Sequence, residues 1–262
     1  MYKRQTPTSI SKATPSFTAS QIATPNGGIS VRTIDLDLDN DMDFVVAAFD
    51  GDAIFWYENN GSQSFTQRTV VSSGIDAPRE IWPVDLDLDG DMDIIAGIYF
   101  DQDLVWFENN GSQSFTKRTI DGSLGGAANS VLAVDLDEDN DLDIVCGTYG
   151  SSILFWFEND GSQSFTRYTI SSGLTASPVA IDLDEDGDLD LVGRTNDGSE
   201  RIVWWENNGA ESFTLNQIDN SKGGLLSVAD LDEDGDYDII ATDVTNGHVN
   251  WYANNGSESF TK

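Results

Sequence analysis

Asp35-Leu36-Asp37-Leu38-Asp39-Asn40-Asp41-Met42-Asp43 places an aspartate at every second residue, and this ladder decides how the chain is read. It returns as DLDLDGDMD (Asp85 to Asp93), DLDEDNDLD (Asp135 to Asp143), DLDEDGDLD (Asp182 to Asp190) and DLDEDGDYD (Asp230 to Asp238). Successive starts lie 50, 50, 47 and 48 residues apart. Each ladder is followed by a short apolar run (FVVAAF, IIAGIY, IVCGTY, LVGRT, IIATD). A tryptophan-bearing run comes next (IFWYE, LVWFE, ILFWFE, IVWWE, VNWYA), then a turn and a Ser-Phe-Thr segment.

Working outward from the ladder, every unit reads as four short strands, because the runs are rich in Val, Ile, Phe, Trp and Tyr and are bounded by Gly, Asn and Asp. No helical period appears. Asn-Gly or Asp-Gly lies between the third and fourth strands of each unit, at Gly61, Gly111, Gly161, Gly209 and Gly256, and supplies the positive φ of a tight hairpin. The middle strands carry apolar residues on both sides of the pleat, as Phe55, Trp56 and Tyr57 do, so sheets must stack on sheets. A four-stranded unit with this period and a recurring tryptophan predicts an all-β fold, a β-propeller of five four-stranded blades. Trp56, Trp106, Trp156, Trp204 and Trp251 are expected at the packing between blades rather than as exposed platforms.

Residues 1–15 match no repeat and are expected to form a disordered or expression-derived tail, leaving residues 16–262 as the propeller domain. Ser16 to Ile22 (SFTASQI) resembles the fourth-strand segments and is positioned to complete the last blade. Ser259 to Lys262 begins the same strand again. Two arrangements are compatible with this: a closed five-bladed ring with a small overlap, or a piece of a longer array. No signal-peptide-like apolar stretch occurs in the first thirty residues.

The chain has 46 Asp plus Glu against 13 Lys plus Arg, a formal net charge of -33. That balance speaks against nucleic acid, whose phosphates are bound by basic side chains, and the absence of a long apolar run speaks against membrane insertion. With 7 Trp, 7 Tyr and 13 Phe it is not the composition of a disordered chain. A single cysteine, Cys146, excludes an internal disulfide, and its DIVCGTY context predicts a buried, inert thiol.

Something cationic must offset the acid. A nine-residue loop with carboxylates at positions 1, 3, 5, 7 and 9 suits a hard cation that takes six to eight oxygens, namely Ca2+, about five ions for the chain. The candidate ligands are Asp35, Asp37, Asp39, Asp41 and Asp43; Asp85, Asp87, Asp89, Asp91 and Asp93; Asp135, Asp137, Asp139, Asp141 and Asp143; Asp182, Asp184, Asp186, Asp188 and Asp190; and Asp230, Asp232, Asp234, Asp236 and Asp238. Position 6 is Asn or Gly throughout, the residue types that most readily turn left-handed. Leucine at position 2 and the Met, Leu or Tyr at position 8 are expected to face the core, and position 4 to face solvent. Position 12 is Val46, Ala96, Cys146, Gly193 or Ala241, which excludes an EF-hand.

The unit of strand, aspartate ladder, strand, tryptophan strand and ENNGSxSF turn resembles the FG-GAP and VCBS-type calcium-binding repeats of bacterial secreted and surface proteins, related to integrin α-head blades. The resemblance runs from Ser16 to Lys262. It implies ligands from the side chains at positions 1, 3, 5 and 9, with the backbone carbonyl of position 7. The literal FG and GAP tripeptides are missing, with VAAF and IAGIY in their place.

Ladders and Asn-Gly turns should share one face of the propeller, leaving what differs between blades on the other. There lie the candidate ligand-binding residues Arg79, Trp82, Tyr99, Tyr149, Arg194, Arg201 and His248. The function expected is an extracellular, secreted or cell-surface binding or adhesion module for a carbohydrate or a protein. A purely architectural repeat segment of a large surface protein is the alternative. An enzyme, such as a calcium-assisted polysaccharide lyase, is not expected, because no nucleophile, base and orienting acid stand together in the sequence.

Overall fold

The computed structural model describes residues 19–262, apart from 63, 173–177, 196–197, 199, 211, 221–222 and 257–258. Within these the chain builds five antiparallel sheets, one per repeat. Blade 1 contains β1 (Gly28–Ile34), β2 (Asp43–Ala48), β3 (Ala53–Asn59) and β4 (Phe65–Val71). Blade 2 contains β5 (Pro78–Val84), β6 (Asp93–Ile98), β7 (Asp103–Asn109) and β8 (Phe115–Asp121). Blade 3 contains β9 (Ala127–Val134), β10 (Asp143–Tyr149), β11 (Ile153–Asn159) and β12 (Phe165–Ser172). Blade 4 contains β13 (Val179–Ile181), β14 (Asp190–Arg194), β15 (Ile202–Asn207) and β16 (Phe213–Asp219). Blade 5 has β17 (Gly223–Ala229), β18 (Asp238–Asp243) and β19 (His248–Tyr252).

Strand order within each sheet follows the sequence, as short connections demand. The ladder links first strand to second, and the Asn-Gly turn links third to fourth. In blades 1 to 4 a register shift opposite the fourth strand, at Ile54/Phe55 and its equivalents, adds the local twist that a blade requires. The fourth strands carry Arg68, Lys117, Arg118 and Arg167 on their exposed sides, which blunts edges that would otherwise pair with other chains.

Four hydrophobic clusters hold the array together, and each straddles two consecutive blades. The second and third strands of blades 2 to 4 are buried on both sides, and Trp56, Trp106, Trp156, Trp204 and Trp205 are all 5% exposed or less. Cys146 is fully buried in the cluster between blades 2 and 3, where burial pushes its thiol up to about 12.

Three expectations change. Trp251 and the position 2 Leu231, expected at the packing between blades and in the core, are 44% and 43% exposed, because no described blade packs against that side of blade 5. Ala19 to Ile22, the described part of the expected N-terminal strand, forms no strand, and residues 16–18 lie outside the described residues. Among the described residues blade 5 has three strands, with a bridge between Ala253 and Thr261 where a fourth would start. Position 8 also packs into the core only in blades 2, 3 and 4, through Met92, Leu142 and Leu189, whereas Met42 in blade 1 and Tyr237 in blade 5 are 56% and 38% exposed.

Candidate metal centre

Each ladder closes on itself through its own backbone. In all five blades the position 6 amide donates to Oδ2 of position 1, at 3.0 to 3.2 Å. The position 7 amide donates to Oδ1 of position 5, at 2.8 to 3.1 Å. Such a loop needs left-handed residues. Position 6 supplies one, from φ 73° at Asn40 to 105° at Gly235. Position 4 supplies another, which sequence reasoning missed: Leu38, Leu88, Glu138, Glu185 and Glu233 have φ between 58° and 62°.

The loop sorts its five aspartates into three roles. Positions 1, 3 and 5 converge, with one carboxylate oxygen of each within 4.8 Å of the others, in blades 1, 2, 3 and 5. In blade 4 the converging residues are Asp182, Asp184 and Asp190. Position 7 turns away to the hairpin, where its Oδ2 would lie 2.4 to 2.7 Å from a Cβ placed on Gly61, Gly111, Gly161, Gly209 or Gly256, and the φ of 64° to 73° at these residues favours glycine. Position 9 is interior. Asp43, Asp93, Asp143, Asp190 and Asp238 are 1% exposed or less. Their Oδ2 accepts the position 2 amide and their Oδ1 accepts the amide of the turn asparagine. In blades 1 and 3 the indole Nε1 of Trp56 or Trp156 adds a third donor at 2.9 Å.

The donor set fits a hard divalent cation. Oδ1 of Asp37, Asp85, Asp135 and Asp182 is buried without a hydrogen-bond partner, a costly state for a carboxylate oxygen unless a cation meets it. Burial raises the carboxyls of Asp37, Asp87 and Asp137 above the usual range, and the neighbouring position 5 carboxylate raises them further. Asp93, Asp143 and Asp190 are pushed up to about 7, again chiefly by burial and against the pull of their amide donors. All available ligands are oxygens, which suits Ca2+ and not the nitrogen and sulfur preferences of zinc or copper.

The opposite face gathers part of the expected ligand set. The Arg79 guanidinium lies 5.2 Å from the centroid of the Tyr99 ring, and Tyr99 stacks on Tyr149 at 6.4 Å. Phe49 and Phe100 complete an aromatic cluster that crosses blades 1 to 3, with Phe100 61% and Tyr149 51% exposed. The sequence held a signal for Phe49, since Phe49, Tyr99 and Tyr149 stand fourteen residues after the starts of their ladders. Asp52, Asp76 and Asp101 border the cluster, and their mutual repulsion adds to desolvation in raising the Asp76 carboxyl. The other candidates lie elsewhere. Trp82 packs toward the core under Arg32, Arg194 donates to the Gly223 carbonyl between blades 4 and 5, Arg201 donates to Gln217 of its own blade, and His248 is exposed at the start of β19.

A sequence profile of the FG-GAP-like repeat matches residues 35–96, 85–146, 135–193 and 182–241, each match running from one ladder into the strand after the next. No curated protein sequence matches the chain. Among solved structures, an Agrocybe aegerita lectin that recognises non-reducing terminal N-acetylglucosamine superposes with a TM-score of 0.62 at 20% identity, over 90% of this chain and 65% of the lectin. BBS1N in complex with ARL6DN gives 0.53 at 15% identity, over 87% and 70%. A protein of unknown function from Desulfotomaculum acetoxidans gives 0.55 at 12% identity, over 88% and 71%. At these identities the likeness is one of fold, and this chain spans about two thirds of each of these three chains.

Proposed function

The chain belongs to the FG-GAP-like repeat family, and from that premise we propose that it is a calcium-dependent, non-catalytic binding module of the extracellular space, taking a carbohydrate or a protein ligand on the face opposite its ladders. Calcium would be held by the converging carboxylates, those of positions 1, 3 and 5 in blades 1, 2, 3 and 5 and of Asp182, Asp184 and Asp190 in blade 4, and its charge would keep them ionised and the loops closed. The buried, partnerless oxygens of Asp37, Asp85, Asp135 and Asp182 support this reading. Carboxylate-rich loops of this kind suit the millimolar calcium found outside cells. The chemistry available argues for binding rather than catalysis, since the single histidine is exposed and the single thiol is buried and held neutral.

The observation that carries the ligand side is the convergence of Arg79, Tyr99 and Tyr149 with two further rings. Exposed ring faces stack on the apolar face of a sugar or on a partner's side chain, while a guanidinium and carboxylates at the edge meet polar groups. The lectin among the similar structures favours carbohydrate by fold analogy alone. The test is binding to a broad glycan array in millimolar calcium, with a chelated sample alongside. A calcium-dependent signal abolished by Tyr149→Ala, with an unchanged melting temperature for that exposed substitution, supports the reading. A signal that survives both Tyr149→Ala and Arg79→Ala removes this face from it.

A further inference from the structure

Each tryptophan strand leads into an asparagine, and the five asparagines are not bonded alike. The Nδ2 groups of Asn59, Asn109 and Asn159 donate to the position 8 carbonyl of their own ladder, Met42, Met92 or Leu142. Asn207 makes that bond, to Leu189, and a second across the blade boundary, to the position 2 carbonyl of Leu136, both at 3.2 Å. Asn254 crosses in the same way, to the carbonyl of Leu183 at 3.2 Å. Both side chains are 4% exposed, so water does not compete freely for these bonds.

The two crossings complete an unbroken path of hydrogen bonds. In blade 5 the Asn254 amide donates to Asp238 Oδ1 at 2.8 Å, while its side chain holds Leu183 of blade 4, whose own amide donates to Asp190 Oδ2 at 3.0 Å. Asp190 Oδ1 accepts the Asn207 amide at 2.8 Å, the Asn207 side chain holds Leu136 of blade 3, and the Leu136 amide donates to Asp143 Oδ2 at 3.2 Å. There the path stops, because among the described residues no hydrogen bond joins Asn159 to Leu86 or Asn109 to Leu36. Leu136 stands between Asp135 and Asp137, which converge in blade 3; Leu183 stands between Asp182 and Asp184, which converge with Asp190 in blade 4.

We propose that Asn207 and Asn254 are positioning residues that couple the ladders of blades 3, 4 and 5, so that these three take calcium together while those of blades 1 and 2 fill independently. The proposal rests on the calcium reading of the ladders and adds its regulation. Carboxylates that repel one another draw positions 1 and 3 apart, and the position 2 residue between them moves with them. Where the next blade's asparagine holds that residue's carbonyl, the displacement reaches the position 9 aspartate of the next ladder. Closing one ladder therefore lowers the cost of closing its neighbour, and linkage makes the effect mutual. Blade 4 is the centre, since Asp190 is both a converging carboxylate and a link of the path.

Hydrogen exchange read by mass spectrometry along a calcium titration follows each ladder separately. Residues 135–143, 182–190 and 230–238 are expected to gain protection at one shared calcium concentration, and residues 35–43 and 85–93 each at their own. Asp184→Ala removes a converging carboxylate from blade 4 and leaves both asparagines intact. It is expected to raise the midpoints of blades 3 and 5 about fivefold or more and to leave blades 1 and 2 in place. Asp87→Ala, its equivalent in blade 2, is expected to move no ladder but its own. Asn207→Ala is expected to separate the midpoint of blade 3 from those of blades 4 and 5, which lost packing alone does not do; if that variant does not fold, Asn254→Ala puts the same question to blade 5. Midpoints in blades 3 and 5 that Asp184→Ala leaves unmoved overturn the coupling, as does a shift spread evenly over all five ladders, which is a loss of stability and not communication. An Asn207→Ala protein whose blade 3 still moves with blade 4 overturns the role of the asparagine. Protection at five unrelated midpoints overturns the coupling and keeps the calcium reading, whereas ladders that calcium protects nowhere remove both.

Discussion

At the scale of single residues, the ladder aspartates look interchangeable in sequence and are not so in space. Asp143 is fully buried, and its two oxygens take donors from Leu136, Asn159 and Trp156. Asp137 lies at the converging end of the same loop, within 4.8 Å of Asp135 and Asp139. Removing Asp143 leaves three buried donors without an acceptor, at about 1 to 3 kcal/mol each. Asp143→Ala should therefore lower unfolding free energy by about 3 kcal/mol or more, in calcium and in chelator alike. Asp137→Ala should be costly only in calcium, because without the ion it relieves repulsion between carboxylates. Urea denaturation of both variants, each with and without chelator, separates the two roles. A cost of Asp143→Ala that disappears in chelator would make that residue a ligand and nothing more. Spacing alone gives no warning of this division, since all five aspartates recur at the same interval. The clue lies on the C-terminal side of the ladder, where position 9 opens the second strand and leads directly into Ile144 and Val145.

At the scale of elements, strands and hairpins were legible because each is set by local chemistry. The continuous apolar runs of the tryptophan strands, the Asn-Gly turns and the Asn or Gly at position 6 are all visible in the residues that adopt them. The left-handed residue at position 4 was not, because leucine and glutamate carry no signature of positive φ. Its conformation is imposed by the hydrogen bonds on either side. At Leu88, φ is 58° and the side chain is 57% exposed, so an unfavourable backbone and a solvated apolar group coincide. Asparagine tolerates that region better, and the left-handed penalty for other residues is about 1 kcal/mol. Leu88→Asn should raise stability by about 0.5 to 1 kcal/mol, read from the denaturation midpoint at constant slope; a loss of stability would show that Leu88 packs on something that its exposure hides. The exposure of Trp251, at 44%, was equally illegible. The fifth repeat reads like the other four, and whether a neighbour covers Trp251 is decided by what stands beside it and not by its own sequence.

At the scale of the whole molecule, charge and fold are coupled through the ladders, and the coupling has a definite sign. Asp93, Asp143 and Asp190 titrate at about 7 in the fold, against about 3.9 for an unperturbed aspartate. Between those values the folded chain holds more protons than the unfolded chain, so without metal its stability falls as pH rises from about 4 to 7. Repulsion within a chain of net charge -33 acts in the same direction. Calcium acts in the opposite one, because it binds the deprotonated carboxylates and its contribution grows with pH. Melting temperatures measured from pH 5 to 8 should therefore fall steadily in chelator, hold or rise in calcium, and converge toward the acid end. Repeating the chelated series at high salt distinguishes the two sources of the slope. Salt screens surface repulsion but reaches buried carboxylates far less, so a residual fall that persists at about 1 M belongs to the buried position 9 aspartates. A chelated melting temperature that is flat or rises with pH would remove the ladders from control of stability, as would one that calcium leaves unchanged at pH 8.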